Sequence, residues 1–352
     1  MQNTTNTYDS TSTTSQTVIK GLKHNLNCQM NTEKNVDRVR FSKVNNNQIY
    51  SACYQLDKGL KSGLIYNHSI TNTTFVENYK IDLKDYGILD FRLNKTEKLL
   101  FSGNSNNSIS IFNLSDNSIT PKTNFEFKNT GSGDNINNTT NIIDYNEDSC
   151  SSLVLCGMND GYMHLFDLEK EQVVSTNKNH EFAIWSGLIY DENIVLTGAD
   201  DSFIKLFDRR SNKIENSLNF HKFGVTCFIK DDSNPYQIIS GSYDEHIILW
   251  DIRNPKPYLS KKKIGYTVWD IKQNNYKNKN LLLVACIYDG FRIYENNFSE
   301  EGSSINEILF FEEHNSIVYG IDTRFVKNDN NETSLNIISC SFYDNLVINW
   351  TI

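Results

Sequence analysis

Basic charge is scarce in this chain, where 34 Lys and Arg stand against 43 Asp and Glu, giving a net charge of -9 and a pI near 5.3. A surface that grips a phosphate backbone needs clustered cations to displace counterions, so nucleic acid is not an expected partner. Long apolar runs are missing too. No stretch approaches the roughly 18 apolar residues of a membrane-crossing helix, and residues 1–16 are mostly Thr, Asn and Ser without the apolar centre of a signal peptide. No membrane association is expected, and the chain reads as cytoplasmic. The seven Cys, at positions 28, 53, 150, 156, 227, 286 and 340, are odd in number and form no CxxC pair. Most lie in apolar, strand-like runs, as small buried hydrophobes of a reducing compartment do. Catalytic signatures are equally absent: there is no Gly-x-Ser-x-Gly elbow, no P-loop, no GxGxxG after a strand, and His180-Glu181 lacks the second His of an HExxH. Metal-ligand spacing is missing as well, so no cofactor is expected.

What the chain does have is a repeat. A small-residue turn, an acidic or amide residue and an alternating strand ending in an aromatic recur as SGNSNNSISIFN from Ser102, CGMNDGYMHLFD from Cys156 and TGADDSFIKLFD from Thr197. They return as SGSYDEHIILWD from Ser240, ACIYDGFRIYE from Ala285 and CSFYDNLVINW from Cys340. The turn residues Asp160, Asp201, Asp244 and Asp289 stand 41, 43 and 45 residues apart, the period of a four-stranded propeller blade. A degenerate first unit runs from Val39-Arg40-Phe41 to Leu64-Ile65-Tyr66, which makes seven, and Asn-rich loops such as 128–147 fill the irregular steps. The expected fold is all-β: a seven-bladed WD-repeat β-propeller closed by an N-terminal strand. Because the last repeat stops after its third strand, Gln16–Lys23 is predicted to supply the fourth, which avoids an open edge in the ring. Residues 1–15 then read as a disordered tail and 16–352 as one domain.

Within the blade ending at Asp251, His221 precedes the first strand, Ser240 ends the second, Asp244 turns the chain and Trp250 lies on the third. Such a set is expected to bond internally and brace the blade, as are His180, Thr197 and Asp201 with Phe207 in the Trp place, and His314 with Asp344. The residue before each turn Asp is read differently, because it faces the narrow surface around the central channel. Tyr243, Tyr288 and Tyr343 occupy it in three consecutive blades, and Trp185, Trp269 and Tyr319 hold matching places on the first strands. Ordinary strand packing explains any one of them. Six converging on one rim, with Asp200, Glu245 and Asp270 nearby, suit a cationic ligand through ring-face attraction and charge.

Several phrases go beyond the generic blade: Ala52-Cys53-Tyr54-Gln55-Leu56, His221-Lys222-Phe223-Gly224-Val225, the run Gly241 to Asp251, Val268-Trp269-Asp270-Ile271-Lys272, Val318-Tyr319-Gly320 and Cys340-Ser341-Phe342-Tyr343-Asp344. Together with Ala285 to Phe291 they span most of residues 180–350, with a weaker echo near 50. In these phrases the chain resembles the diphthine methyl ester hydrolases, also named diphthine methyltransferases, of the diphthamide pathway. It departs from the usual pattern at Gly265-Tyr266-Thr267, where that family carries a glycine pair. The resemblance implies hydrolysis of a methyl ester on a modified histidine of elongation factor 2, the expected protein substrate. The esterified side chain also carries a trimethylammonium group, the kind of ligand an aromatic and acidic rim would hold. Trp185, Asp200, Tyr243, Trp269, Asp270, Tyr288, Tyr319 and Tyr343 are then the expected substrate-binding residues, with His221 or Glu245 as the base that activates water. A non-catalytic adaptor and a reader of methylated peptides are the competing functions, since a propeller by itself does not determine function.

Overall fold

The computed structural model describes residues 22–71, 73–127, 138–150, 152–254, 257–298, 304–327 and 331–352. They form seven four-stranded antiparallel sheets arranged as a ring of blades. The first strand of each blade lies innermost: Val36–Phe41, Ile88–Leu93, Thr140–Tyr145, Ile184–Ile189, Val225–Asp231, Asp270–Tyr276 and Val318–Lys327 in blades one to seven. The Asn-rich segment 128–147 read as a loop therefore contains the inner strand of blade three, while 128–137 lie outside the described residues. Among the described residues no helix is long and apolar enough to cross a membrane, and the helix Glu147–Cys150 is a single turn.

Strand periodicity builds the ring. In His246–Asp251 the alternate residues Ile248 and Trp250 pack on Leu206 and Ile204 of blade four, whereas Ile247 and Leu249 pack on Val268, Ile271 and Leu282 of blade six. Both faces of the strand are buried, which is why the run is apolar almost throughout instead of alternating with polar residues. Each fully buried Ile or Leu stabilises the blade contact by about 1.5–3 kcal/mol. Outermost strands have one blade edge in water and read accordingly: Lys213–Leu218 exposes Lys213, Ile214, Glu215 and Asn216. Charge on such an edge discourages pairing with another chain.

An N-terminal strand closes the ring, but it is not the one expected. Asn25–Asn31 pairs antiparallel with Leu346–Thr351, from Asn25 opposite Thr351 to Asn31 opposite Leu346. Gln16–Lys23 was the sequence-based expectation; Leu22 and Lys23 are not in a strand, and residues 1–21, including the expected tail, lie outside the described residues. Chain geometry explains the difference. Only Thr32–Asn35 separate the closing strand from the inner strand of blade one, so the segment directly before that link reaches the open edge. Cys28 sets its register by burying its side chain beside Asn349, and Thr32 N–H donates to the Asn345 carbonyl at 2.8 Å.

Candidate functional site at the channel mouth

Blade five shows the internal bracing in full. His221 Nδ1 lies 3.1 and 3.2 Å from the two Asp244 oxygens, its Nε2 lies 2.8 Å from Ser240 Oγ, and Trp250 Nε1 donates to the same Oγ at 2.8 Å. The order Asp, His, Ser is that of a hydrolytic triad, yet both His221 nitrogens and the fully buried Ser240 hydroxyl are already engaged within the blade. Burial lowers the His221 pKa, although Asp244 opposes the shift. For Asp244 burial acts upward, but the bond to His221 and the backbone N–H groups of Lys222 and His246 outweigh it and hold the carboxyl well below the usual range. Blade four repeats the pattern with His180 between Asp201 and Thr197, both at 2.9 Å; Phe207 has no N–H, and Asn179 Nδ2 donates to Thr197 Oγ1 instead. In blade seven His314 bonds Ser341 and Ser339, and Asp344 reaches it only through the Ser341 hydroxyl. The expected direct His314 to Asp344 contact is thus replaced by a relay, because Ser341 occupies the intervening place.

The mouth of the central channel is built by bulges. In six blades the ladder between first and second strands shifts register one or two residues after it begins, at Asp37, Leu89, Asn141, Trp185, Thr226 and the pair Tyr319-Gly320. In blade six the ladder begins immediately after Trp269. A bulge leaves one residue outside the pairing and re-aims it. These positions stand outside the ladder at the start of each inner strand, with aromatics at them in blades four, six and seven.

Those aromatics touch. Trp269 is the hub, with ring centroids 5.7 Å from Trp185, 6.1 Å from Tyr243 in an edge-on arrangement and 4.9 Å from Tyr319 in a stacked one. The cluster continues from Tyr319 to Phe342 at 5.4 Å, and from Phe342 to Tyr343 and Tyr54 at 5.1 and 6.4 Å. Tyr288 is 80% exposed and within electrostatic reach of Tyr243, whose phenol is raised to about 12 by burial, then by Asp200 and Tyr288. Asp200 stands against Gly224, where a Cβ would lie 2.6 Å from its Oδ1, so the absence of a side chain lets this loop close onto the carboxylate without displacing it. Seven of the eight expected binding residues are connected in this way. The eighth, Asp270, sits just below the rim: Oδ1 accepts from the Ile271 N–H at 2.9 Å, and Oδ2 is buried without a partner among the described residues.

Neither expected base stands free in that cluster. His221 is engaged at both nitrogens within its blade, and Glu245 pairs with Lys263 at 3.0 Å from a left-handed backbone position, φ 66°.

Below the rim the channel forms a cavity of about 580 Å³ lined by charged side chains. Asp90 binds Arg92 at 2.7 Å and Arg38 at 3.3 Å, and Arg92 continues to Asp144 at 3.3 Å. Burial acts to raise the Asp90 pKa, yet the guanidiniums of Arg92, Arg38 and Arg40 overcome it and leave the group lowered. Asp37, on the strand beside it, behaves in the opposite way: it is 7% exposed, and burial lifts its carboxyl to about 7 despite the neighbouring Arg38. Sequence reasoning missed Asp37, Tyr54 and Phe342. The signal for Asp37 was present, since Val36-Asp37 opens its strand as Ile184-Trp185 and Val318-Tyr319 open theirs and as Val268-Trp269 leads into Asp270–Tyr276. Trp269 Nε1 and Arg38 Nη1 are further buried polar atoms without partners here, among the described residues. Buried groups left unpaired are costly and cluster where a ligand completes them. No group of three or more His, Cys, Asp or Glu is placed to hold a metal ion among the described residues. Chemically, the arrangement offers ring faces and carboxylates to a cation, with a buried, protonatable carboxyl at its side.

Comparison with known proteins gives likenesses of repeat, fold and sequence. Residues 212–251 match the WD domain, G-beta repeat family. The fold is similar to a chain in a crystal structure of the mitotic checkpoint complex, with a TM-score of 0.71 over 93% of this chain and 94% of that one, at 11% identity, a likeness of fold alone. In sequence the chain is 38% identical over 94 residues to the diphthine methyltransferase of Mus musculus and 37% identical over 98 residues to that of Homo sapiens. Those matches cover 26% and 27% of this chain and 20% and 22% of the relatives. With the diphthine methyltransferase of Saccharomyces cerevisiae it shares 31% identity over 140 residues, 34% of either chain. The matches thus span between a fifth and a third of the curated relatives' length. In its repeat and in these three partial matches the chain is thus similar to the diphthine methyltransferases, and the seven-bladed ring is that of a WD-repeat propeller.

Proposed function

We propose that this protein acts in diphthamide biosynthesis by hydrolysing the methyl ester of methylated diphthine on elongation factor 2, yielding the free carboxylate for the final amidation. The observation that carries the reading is the continuous aromatic cluster centred on Trp269, bordered by Asp200 and Asp270 at the channel mouth. A trimethylammonium is weakly hydrated and cannot donate hydrogen bonds, so it is held by ring faces and nearby negative charge. The ester lies on the same side chain as the cation. Gripping the cation therefore positions the carbonyl within reach of the rim, and this proximity lowers the barrier to attack by water. Tyr288 and Tyr343, both largely exposed, extend the grip outward to the protein that carries the modified histidine.

The test is methanol release from elongation factor 2 bearing the methyl-esterified side chain, with purified full-length protein and no methyl donor added. Release at a rate proportional to enzyme supports the hydrolase. Binding of the esterified protein without methanol would instead favour a reader of methylated side chains, which would use the same aromatic mouth.

A further inference from the structure

We propose that Asp37 is the catalytic base of this site, taking a proton from the water that attacks the ester carbonyl. The proposal rests on the hydrolase reading above and names the group that reading lacks. Asp37 holds the bulge position of blade one, in the same ring of rim residues as Trp185, Trp269 and Tyr319. Tyr319 and Tyr54 both feel its charge, so it borders the aromatic cluster. Its neighbour Asn35 ties the segment to blade seven by donating to the Phe342 carbonyl at 2.9 Å.

Most of the other acidic groups near Asp37 are held by partners. Asp90 is held by Arg92 and Arg38, Asp144 by Arg92 and the Ile189 N–H, Asp244 by His221, and Glu245 by Lys263. Asp270 uses one oxygen to cap Ile271. Among the described residues no hydrogen bond holds the Asp37 carboxylate, although the residue is 7% exposed. Arg38, the cation next to it, points its Nε to Asp90. A buried carboxylate without partners is a strong proton acceptor.

The reaction balances with water as the only co-reactant. Water oxygen bonds to the carbonyl carbon while its proton passes to Asp37. The tetrahedral intermediate then expels the methoxy group, which leaves as methanol by recovering that proton. A carboxylic acid remains and ionises in solution, and Asp37 is again a carboxylate. The charged and titratable groups facing Asp37 are Arg38 on its own strand, Asp90 on blade two, Cys53 and Tyr54 on the second strand of blade one, and Tyr319 and Cys340 on blade seven. Burial holds Asp37 near 7, so the base form fills as pH rises through that value.

The experiment measures methanol release from the esterified elongation factor 2 by wild type, Asp37→Asn and Asp37→Glu, between about pH 5.5 and 8.5. Expected are a fall in kcat of about 100-fold or more for Asp37→Asn with KM within about threefold, partial recovery in Asp37→Glu, and an acidic limb near pH 7 in the wild type that vanishes from the residual activity of Asp37→Asn. An active wild type with Asp37→Asn retaining kcat within about threefold overturns the assignment and leaves the hydrolase reading standing. A wild type that releases no methanol overturns both. Should Asp37→Asn show no cooperative melt, the wild-type profile decides: an acidic limb near pH 7 supports Asp37, and a flat profile rejects it.

Discussion

The interior of blade five and the mouth of the channel contain the same kinds of side chain in opposite conditions. Inside the blade, His221, Asp244, Ser240 and Trp250 bond one another, and a constellation that looks hydrolytic is used up in bracing the blade. At the mouth, Trp269 Nε1, Asp270 Oδ2 and Arg38 Nη1 are buried without partners among the described residues, and Asp37 is buried without a hydrogen bond. Residue type therefore says little about role. Completed pairing marks the scaffold, because each bond removes a buried polar group that would otherwise cost about 1–3 kcal/mol. Incomplete pairing leaves buried polar groups that a bound ligand or water would satisfy.

If that division is right, changes to the scaffold appear in stability and changes at the mouth appear in binding or turnover. Deleting residues 1–31 removes the closing strand and exposes the edge of Leu346–Thr351. The melting temperature should fall by more than about 10 °C, or folding should fail; an unchanged melt by calorimetry would contradict closure through Asn25–Asn31. Trp250→Ala is the next largest. It empties a fully buried site and frees Ser240 Oγ, and chemical denaturation should show a loss of about 3–5 kcal/mol.

Asp37→Asn should have the opposite sign. Its carboxyl is raised in the fold, to about 7, above the unfolded value of about 3.9, so the native state binds the proton more tightly than the unfolded chain. Stability contributed by the protonated form is present at low pH and is lost as pH rises between those two values. Asparagine does not ionise, so the variant should be more stable than wild type at pH 8, by up to about 4 kcal/mol, with the gap closing towards pH 4. A gap independent of pH would break the comparison, because it would show that Asp37 is not under this strain. The smallest effect is expected for Tyr243→Ala, which removes one half-exposed ring from the edge of Trp269. Binding of tetramethylammonium, followed by tryptophan fluorescence, should weaken by about 1 kcal/mol, roughly fivefold, while the melting temperature moves by less than about 2 °C.

Much of this was legible in the chain because strand period and turn chemistry are local. Six phrases, four of them at blade spacing, with a degenerate seventh, foretold seven sheets, and the Tyr before the turn Asp in three of them foretold the exposed Tyr243, Tyr288 and Tyr343. Closure was anticipated in kind but placed on the wrong segment. The alternating residues near Val18 looked more like a strand than the Asn-rich Asn25–Asn31, yet the short link to blade one outweighed that preference. Glu245 drew attention because it adjoins a turn Asp, whereas its salt bridge to Lys263 depends on the outermost strand of the blade. Asp37 escaped notice because its blade is the most degenerate and its solvent exclusion depends on blade seven as well as its own.

The amino-acid order by itself determined the repeat, the ring and the identity of the aromatics at its rim, since period, turn residues and side-chain type are properties of short segments. Only the tertiary structure decided which acids are paired, which strand closes the ring and which carboxyl lies unbonded beside the aromatics. Those outcomes depend on burial and on partners brought from distant blades, as with Asp37 beside Tyr319, and no local pattern encodes the dielectric surroundings that such a meeting creates.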